Sequence, residues 1–220
     1  KLNVGDFVEV PFGKTKVTGV VWDEFEKNNS KKFKIKKVIN KLDIPSLKKN
    51  TLDFLNWFSE YNIVPKGMAL KLVLTGGKEL KSIDQKFYDS LTFNCHENLI
   101  ELTNDQKKSL EQINSSNKRF NVHVLQGTTG SGKTFVYFEA LKNVLLKGFQ
   151  GLILLPEIGL TTQFEKKFIE FFNFKPAVWH SGITKKNKKI IWEGIIRGKI
   201  SVVIGARSSL FLPFKNLGLI

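Results

Sequence analysis

The chain has 220 residues, and its 35 Lys and Arg outnumber 20 Asp and Glu for a net charge of +15. A hydrophobic share of 41% is enough for a packed core and excludes a disordered polyelectrolyte. One cysteine, Cys95, excludes an internal disulfide framework and a multi-cysteine zinc site, and no apolar run reaches the roughly 18 residues of a membrane span.

Lys1–Asp6 has no apolar segment of the signal-peptide kind. Residues 4–23 read as β. Asp6–Val10 alternates polar and apolar residues, Pro11-Phe12-Gly13-Lys14 reads as a turn, and Val17–Trp22 as a second strand. A Lys/Asn/Ser loop follows, and Phe33–Leu42 alternates again as a third strand. Leu52, Leu55 and Phe58 recur at helical spacing, with Asn50 or Thr51 as the expected N-cap. Pro65 opens a short helix through Leu74. Residues 75–101 are polar and without period, which reads as a linker.

From Leu102 the pattern changes. A helix capped by Thr103 runs through Ser115, and Val122–Leu125 reads as a short strand. Then follow helix Lys133–Leu146, strand Leu152–Leu155, helix Leu160–Phe172 and strand Ala177–Trp179. Helix Lys185–Ile196, strand Ser201–Ile204 and a last strand at Leu217–Ile220 complete the series. Strands that are continuous apolar runs, alternating with helices, indicate a parallel sheet with helices on both faces. The expected architecture is therefore α/β: a small β-rich α+β domain (1–74), a linker (75–101) and a larger parallel-sheet domain (102–220).

Gly127-Thr128-Thr129-Gly130-Ser131-Gly132-Lys133-Thr134 matches the phosphate-binding pattern G-x-x-x-x-G-K-[ST]. Glycines permit a tight loop whose backbone N–H groups face phosphate oxygens, and the following helix adds its positive end. Lys133 is placed to reach the β- and γ-phosphates, and the Thr134 hydroxyl to reach Mg²⁺. About 20 residues earlier, Gln106 offers the donor and acceptor that pair with adenine N7 and N6; an exposed helical glutamine is the plain alternative.

The charge excess sits at the two ends, +6 in residues 1–50 and +7 in residues 151–220. A polyanionic partner such as nucleic acid accounts for it. So does an AT-rich compositional bias, since only Arg119, Arg197 and Arg207 are arginines.

Three further blocks follow successive strands: Leu155-Pro156-Glu157-Ile158-Gly159-Leu160-Thr161, His180-Ser181-Gly182, and Val203–Gly218 with Gly205-Ala206-Arg207-Ser208-Ser209. With Gln106 and the phosphate loop, this series resembles the PriA family of bacterial replication-restart helicases (primosomal protein N′), in helicase superfamily 2. The resemblance is dense over 102–220 and implies a P-loop, RecA-like fold. Val10–Lys14, Gly19–Val21, Lys36–Ile39 and Leu42-Asp43 resemble, more loosely, the family's 3′-DNA-binding domain. There the resemblance implies that Gly13 and Lys36 lie in a 3′-end pocket.

The resemblance also implies an ATP- and Mg²⁺-dependent 3′→5′ DNA helicase that recognises stalled or branched forks and assembles the primosome. Its partners would be DNA, primosome proteins and single-strand-binding protein, without a membrane, in the bacterial cytoplasm at the nucleoid. Gly127–Thr134 and Gln106 would hold ATP, with Lys133 and Thr134 catalytic and Thr134 on the metal. Pro156, Glu157, Thr161, Ser181, Arg207 and Ser208 would contact DNA. By the same resemblance, pocket residues lie upstream of Lys1, and the Asp-Glu-x-His motif, second lobe and zinc-binding cysteines lie beyond Ile220. This stretch alone is then expected not to hydrolyse ATP. The intermediate winged-helix domain has no room in 75–101. Another superfamily 2 translocase, or a fork-binding assembly module with a dispensable ATPase, are the alternative functions. His180 reads equally as a structural histidine, the lysines of 185–189 as a solvated face, and Cys95-His96 as a loop.

Overall fold

Strand β1 (Phe7–Phe12) pairs antiparallel with β2 (Thr15–Val20), from Phe7↔Val20 to Phe12↔Thr15. This is a computed structural model, which describes residues 1–23, 36–74, 85–93, 101–115, 120–156 and 158–220, with backbone alone at 85–86 and 158–161. The turn is tighter than the sequence suggests: Gly13 and Lys14 alone connect the strands, and Pro11 is inside β1 opposite Lys16. Strand β3 is short, Asn40–Lys41, and pairs with β1 only at Val8 and Glu9. Beyond that pairing β1 is bonded on one side, where a residue without an N–H is tolerated. Of the expected third strand, positions 33–35 lie outside the described residues, and 36–39 belong to no strand, although Ile39 N–H donates to the Glu9 carbonyl.

Helix α1 (Lys49–Tyr61) starts two to three residues earlier than Asn50 or Thr51 as a cap would allow, after Lys48 and with no side-chain cap. Helix α2 (Lys66–Val73) follows Pro65. Within the stretch read as a linker, helix α3 (Gln85–Asp89) carries Tyr88 and leads to Leu91, and both side chains are buried. Ser201 N–H donates to the Leu91 carbonyl, and the Ser201 hydroxyl accepts from Phe93 N–H at 2.8 Å.

Next come helices α4 (Asn104–Asn114) and α5 (Lys133–Leu146), then β4 (Gln150–Leu154), α6 (Ile158–Phe172) and β5 (Ala177–Trp179). Helix α7 (Lys185–Arg197), β6 (Val202–Gly205), a 3₁₀ turn (Arg207–Phe211) and β7 (Leu217–Leu219) complete the order. The sheet is parallel, in the order β5-β6-β4-β7. Its two faces are read directly off β6. Val202 and Ile204 join Phe138, Phe168 and Phe172 of α5 and α6 on one side. Val203 joins Ile191 and Ile195 of α7 on the other. That is the α/β arrangement with helices on both faces that the apolar strand runs imply.

The expected strand Val122–Leu125 does not form. It has no ladder partner among the described residues, and Val122 and Val124 are largely exposed. Only three of its four residues are apolar, too little area to hold a sheet position without a neighbour. The edge of the sheet beside β4 is taken by β7.

The first sheet and helices α1 and α2 share the core on the α7 side: Phe7, Leu52, Leu55 and Val73 are in one buried cluster with Trp192 and Ile195. Phe7 meets Trp192 edge-on, with ring centroids 5.5 Å apart. Phe54 and Phe58 of α1 pack on Phe211.

Candidate nucleotide and nucleic-acid site

The phosphate-loop pattern folds as its glycines dictate. Gly130 and Gly132 take φ of +86° and +78°, left-handed backbone that disfavours any residue with a Cβ. A Cβ on Gly132 would also lie 2.3 Å from Gln106 Nε2. Lys133 then opens α5, and its ammonium turns back into the loop, donating to the carbonyls of Gly127 and Thr128 at 2.7 Å each. These are weak substitutes for the oxygens of an anion, since carbonyls carry no net charge. Thr134, half-buried, shares a hydrogen bond of 3.1 Å with the Tyr137 hydroxyl.

Gln106 closes the loop from outside. Thr103 and Gln106 form a capping box at the start of α4: Gln106 Oε1 accepts from Thr103 N–H at 2.9 Å. Its Nε2 donates to the Ser131 carbonyl at 3.2 Å. The glutamine therefore already touches the phosphate loop. A cleft of about 660 Å³ lies over Thr129–Phe135 and is completed by Phe138, Lys167, Glu170 and Phe171. The three α6 residues carry no motif, and the sequence holds no sign of them beyond helical spacing. An open loop with two left-handed glycines and an ammonium that has no carboxylate partner among the described residues fits a phosphate chain. Among the described residues no group of three or more His, Cys, Asp or Glu could hold a metal ion.

The other candidates gather at the strand ends. The parallel register aligns Leu154 of β4 and Trp179 of β5 with the same residue, Gly205 of β6. Pro156, Ser181 and Arg207 each follow that rung by two residues, so three loops leave the sheet at one level. Pro156, Ser181, Arg207 and Ser208 are exposed. Ser209, to which the motifs assign no contact, is buried beneath them, and its hydroxyl donates to the Ala206 carbonyl. His180 Nδ1 accepts from Gly182 N–H at 3.0 Å, and Lys188 Nζ donates to the Ser181 carbonyl at 3.3 Å. Glu157 lies outside the described residues; Thr161 is within α6, with its side chain not described. Cys95 and His96 are outside them too. Of the described strand-end residues, Pro156, Ser181, Arg207 and Ser208 do not line the cleft of the phosphate loop.

Gly13 is at the exposed tip of the β1–β2 hairpin, with φ +59° and open space where a Cβ would lie. Lys36 is exposed on the extended stretch before β3. The β1–β3 pairing ends with Asn40 opposite Glu9, and among the described residues no ladder joins Lys36 to Gly13.

Comparison with known families decides the class. Residues 103–219 match the family model described as DEAD/DEAH box helicase. The chain belongs to the DEAD/DEAH box helicase family. Within this helicase family it groups with PriA: residues 1–75 match the model described as 3′DNA-binding domain. It is 42% identical to the replication restart protein PriA of Rickettsia conorii over 223 aligned residues, covering 100% of this chain and 33% of that protein. The PriA of Rickettsia felis is 43% identical over 222 residues, again 100% and 33%. Bacillus subtilis PriA is 40% identical over 121 residues, 54% of this chain and 15% of the relative. The chain thus spans about a third of the length of the Rickettsia relatives. No helix among the described residues is long and apolar enough to cross a membrane.

Proposed function

We propose that this chain contributes the fork-recognising domain and the first motor lobe of an ATP-dependent DNA helicase that restarts replication by assembling a primosome. The divisions are 1–74 for DNA 3′-end recognition, 75–101 for the connection and 102–220 for the motor. The observation that carries this reading is the common level of Pro156, Ser181 and Arg207, three residues from separate strands facing one edge of a parallel sheet. Small hydroxyls, backbone N–H groups and one arginine suit phosphate contact without base readout, which a translocating motor needs.

In this reading Gly127–Thr134 hold the phosphates of ATP, and Gln106 adds selectivity for adenine. The bound nucleotide with Mg²⁺ supplies the phosphoryl group whose cleavage drives movement. Lys133 would exchange its two loop carbonyls for phosphate oxygens, and the Thr134 hydroxyl, which accepts from Tyr137 in this structure, would help to hold the metal. Ser208 joins Ser181 and Arg207 on the strand, with Glu157 and Thr161 in the neighbouring loop; Gly13 and Lys36 hold the 3′ end. The partners are branched DNA, primosome proteins and single-strand-binding protein, in the cytoplasm.

The test is unwinding of a labelled fork by the intact protein, with Lys133→Ala and Arg207→Ala variants. Both are expected to stop unwinding, and Lys133→Ala to keep fork affinity. Unwinding that survives Lys133→Ala overturns the motor reading. Primosome loading that survives it supports the alternative of an assembly module with a dispensable ATPase.

A further inference from the structure

A second basic feature lies away from both candidate sites. Where the segment entering α1 meets the end of α7 and the chain before β7, a groove of about 670 Å³ opens. Lys48, Lys49, Arg197, Lys199 and Lys215 line it, and among the described residues no carboxylate does. The four lysines are exposed. Among the described residues no carboxylate pairs with Lys48, Lys49 or Lys215. Arg197 is held in place by Glu193 at 3.0 Å and by the Asp43 carbonyl at 2.7 Å, so it also fixes the two walls relative to each other. Gathering these cations costs self-repulsion that an anion would relieve.

The position separates this groove from the motif loops. Lys199 precedes β6 and Lys215 precedes β7, at the edge where strands begin, whereas Arg207 follows the end of β6. The four residues of β6 put about 13 Å of strand between the two edges.

We infer that this groove binds the phosphodiester backbone of duplex DNA, a site separate from the strand-end loops. Lysines act as point charges on phosphate, without the planar fork that reads a particular group. Among the described residues the one aromatic ring in the lining, Phe214, is buried, so these offer no platform on which an unpaired base could stack. Recognition by backbone charge alone favours the higher phosphate density of a duplex over a single strand. The inference rests on the DNA-motor reading above: a branched substrate has duplex arms as well as a strand to be tracked, and the two edges of the sheet would take one each.

The experiment is fluorescence anisotropy of the intact protein with a labelled blunt duplex and a single strand of equal length, across a salt series. The variant is Lys48→Gln/Lys49→Gln/Lys215→Gln, all solvent-facing, with the corresponding triple Lys→Arg protein as the charge-retaining control. The expected result is at least a ten-fold loss of duplex affinity at moderate salt. The slope of log K against log salt should fall by about 2 to 3, given about 0.9 per phosphate contact. Single-strand affinity stays within two-fold, and the arginine variant restores the slope. An unchanged duplex slope in the glutamine variant overturns this inference alone. Loss of binding to a polyglutamate peptide with DNA binding intact also overturns it, assigning the groove to an acidic protein segment. If the unmodified protein binds neither DNA, the proposed function fails with it.

Discussion

Trp192 Nε1 donates to the Val73 carbonyl at 2.7 Å, across 119 positions of sequence and from α7 to the last residue of α2. The bond is buried, and Phe7 closes on the same indole from the first sheet. The first sheet with α1 and α2 is thus joined to the parallel-sheet part through core, with no solvent layer between Val73 and α7. In the proposed function, fork recognition by residues 1–74 and ATP binding by residues 102–220 would be stiffly connected, because packed interiors transmit displacement.

Trp192→Phe keeps most of the packing and orphans the Val73 carbonyl, so it should cost about 1–3 kcal/mol. Trp192→Ala should cost about 3–5 kcal/mol. Urea unfolding, followed by tryptophan fluorescence and by far-ultraviolet circular dichroism, checks both values. The two probes should give one coincident transition in the unmodified protein. Separate transitions would show that the two parts unfold independently despite the shared cluster.

The phosphate loop gives a sharper comparison. Gly132→Ala meets both a φ of +78° and the Gln106 amide, whereas Gly130→Ala meets a φ of +86° and open space. Gly132→Ala should therefore weaken binding of a non-hydrolysable ATP analogue by about ten-fold more than Gly130→Ala, a difference of about 1.4 kcal/mol. Adding Gln106→Ala removes the clash but not the backbone strain, and it also removes the adenine contact proposed above, so the loss in the double variant should be smaller than the sum of the two single losses. Isothermal titration of the unmodified protein, Gly130→Ala, Gly132→Ala, Gln106→Ala and the double variant reads the coupling. Equal losses in the two glycine variants would mean that Gln106 is not seated against the loop.

Gly194, in the middle of α7, is where Tyr88 enters the core. A Cβ there would lie 2.4 Å from Tyr88 Cε1 and 2.7 Å from Ile200 Cδ1. Gly194→Ala should destabilise by about 1–3 kcal/mol through overpacking, despite the better helix propensity of alanine. The second variant, Tyr88→Phe, removes the hydroxyl that donates to the Ile190 carbonyl at 3.0 Å and should cost about 1 kcal/mol. Chemical denaturation measures both. A neutral or stabilising Gly194→Ala would show that Tyr88 is not packed there.

Those residues mark where sequence legibility ends. The β6 run Val202–Gly205 is readable because every residue is buried, so the period cannot mislead. Lys133–Leu146 is readable because its start is fixed by the loop. Tyr88 and Leu91 are not, since they are two apolar anchors on and beside a five-residue helix, too short to establish a period. Val122–Leu125 fails for the opposite reason. Its pattern suits a strand, but a strand needs a partner, and nothing local to the segment specifies one. Lys167 and Glu170 come to the cleft through the packing of α6 on α5. The groove at Lys48 and Lys215 requires two segments distant in sequence to meet.

Asp6 sets the acid limit of the first domain. Its side chain is fully buried beside β1, and Lys41 Nζ lies 2.7 Å from Oδ2. The Ser46 hydroxyl donates to Oδ1, and Asn3 N–H donates to Oδ2 at 2.8 Å. The Lys41 hydrogen bond, then those from Ser46 and Asn3, outweigh burial and lower the carboxyl from 3.8 to about 2. A depressed folded-state value means that the unfolded chain takes up the proton first. The stabilisation is complete above about pH 4 and is lost as pH falls toward 2. Asp6→Asn removes that dependence. The variant should be less stable than the unmodified protein at pH 7, because Lys41 loses its partner and one acceptor becomes a donor facing other donors. Between pH 4 and 2 its stability should decline less steeply, so the two curves converge. Urea midpoints measured at half-unit intervals from pH 7 to pH 2 check this. Parallel curves over the acid range would show that Asp6 is not charged and buried in the folded domain.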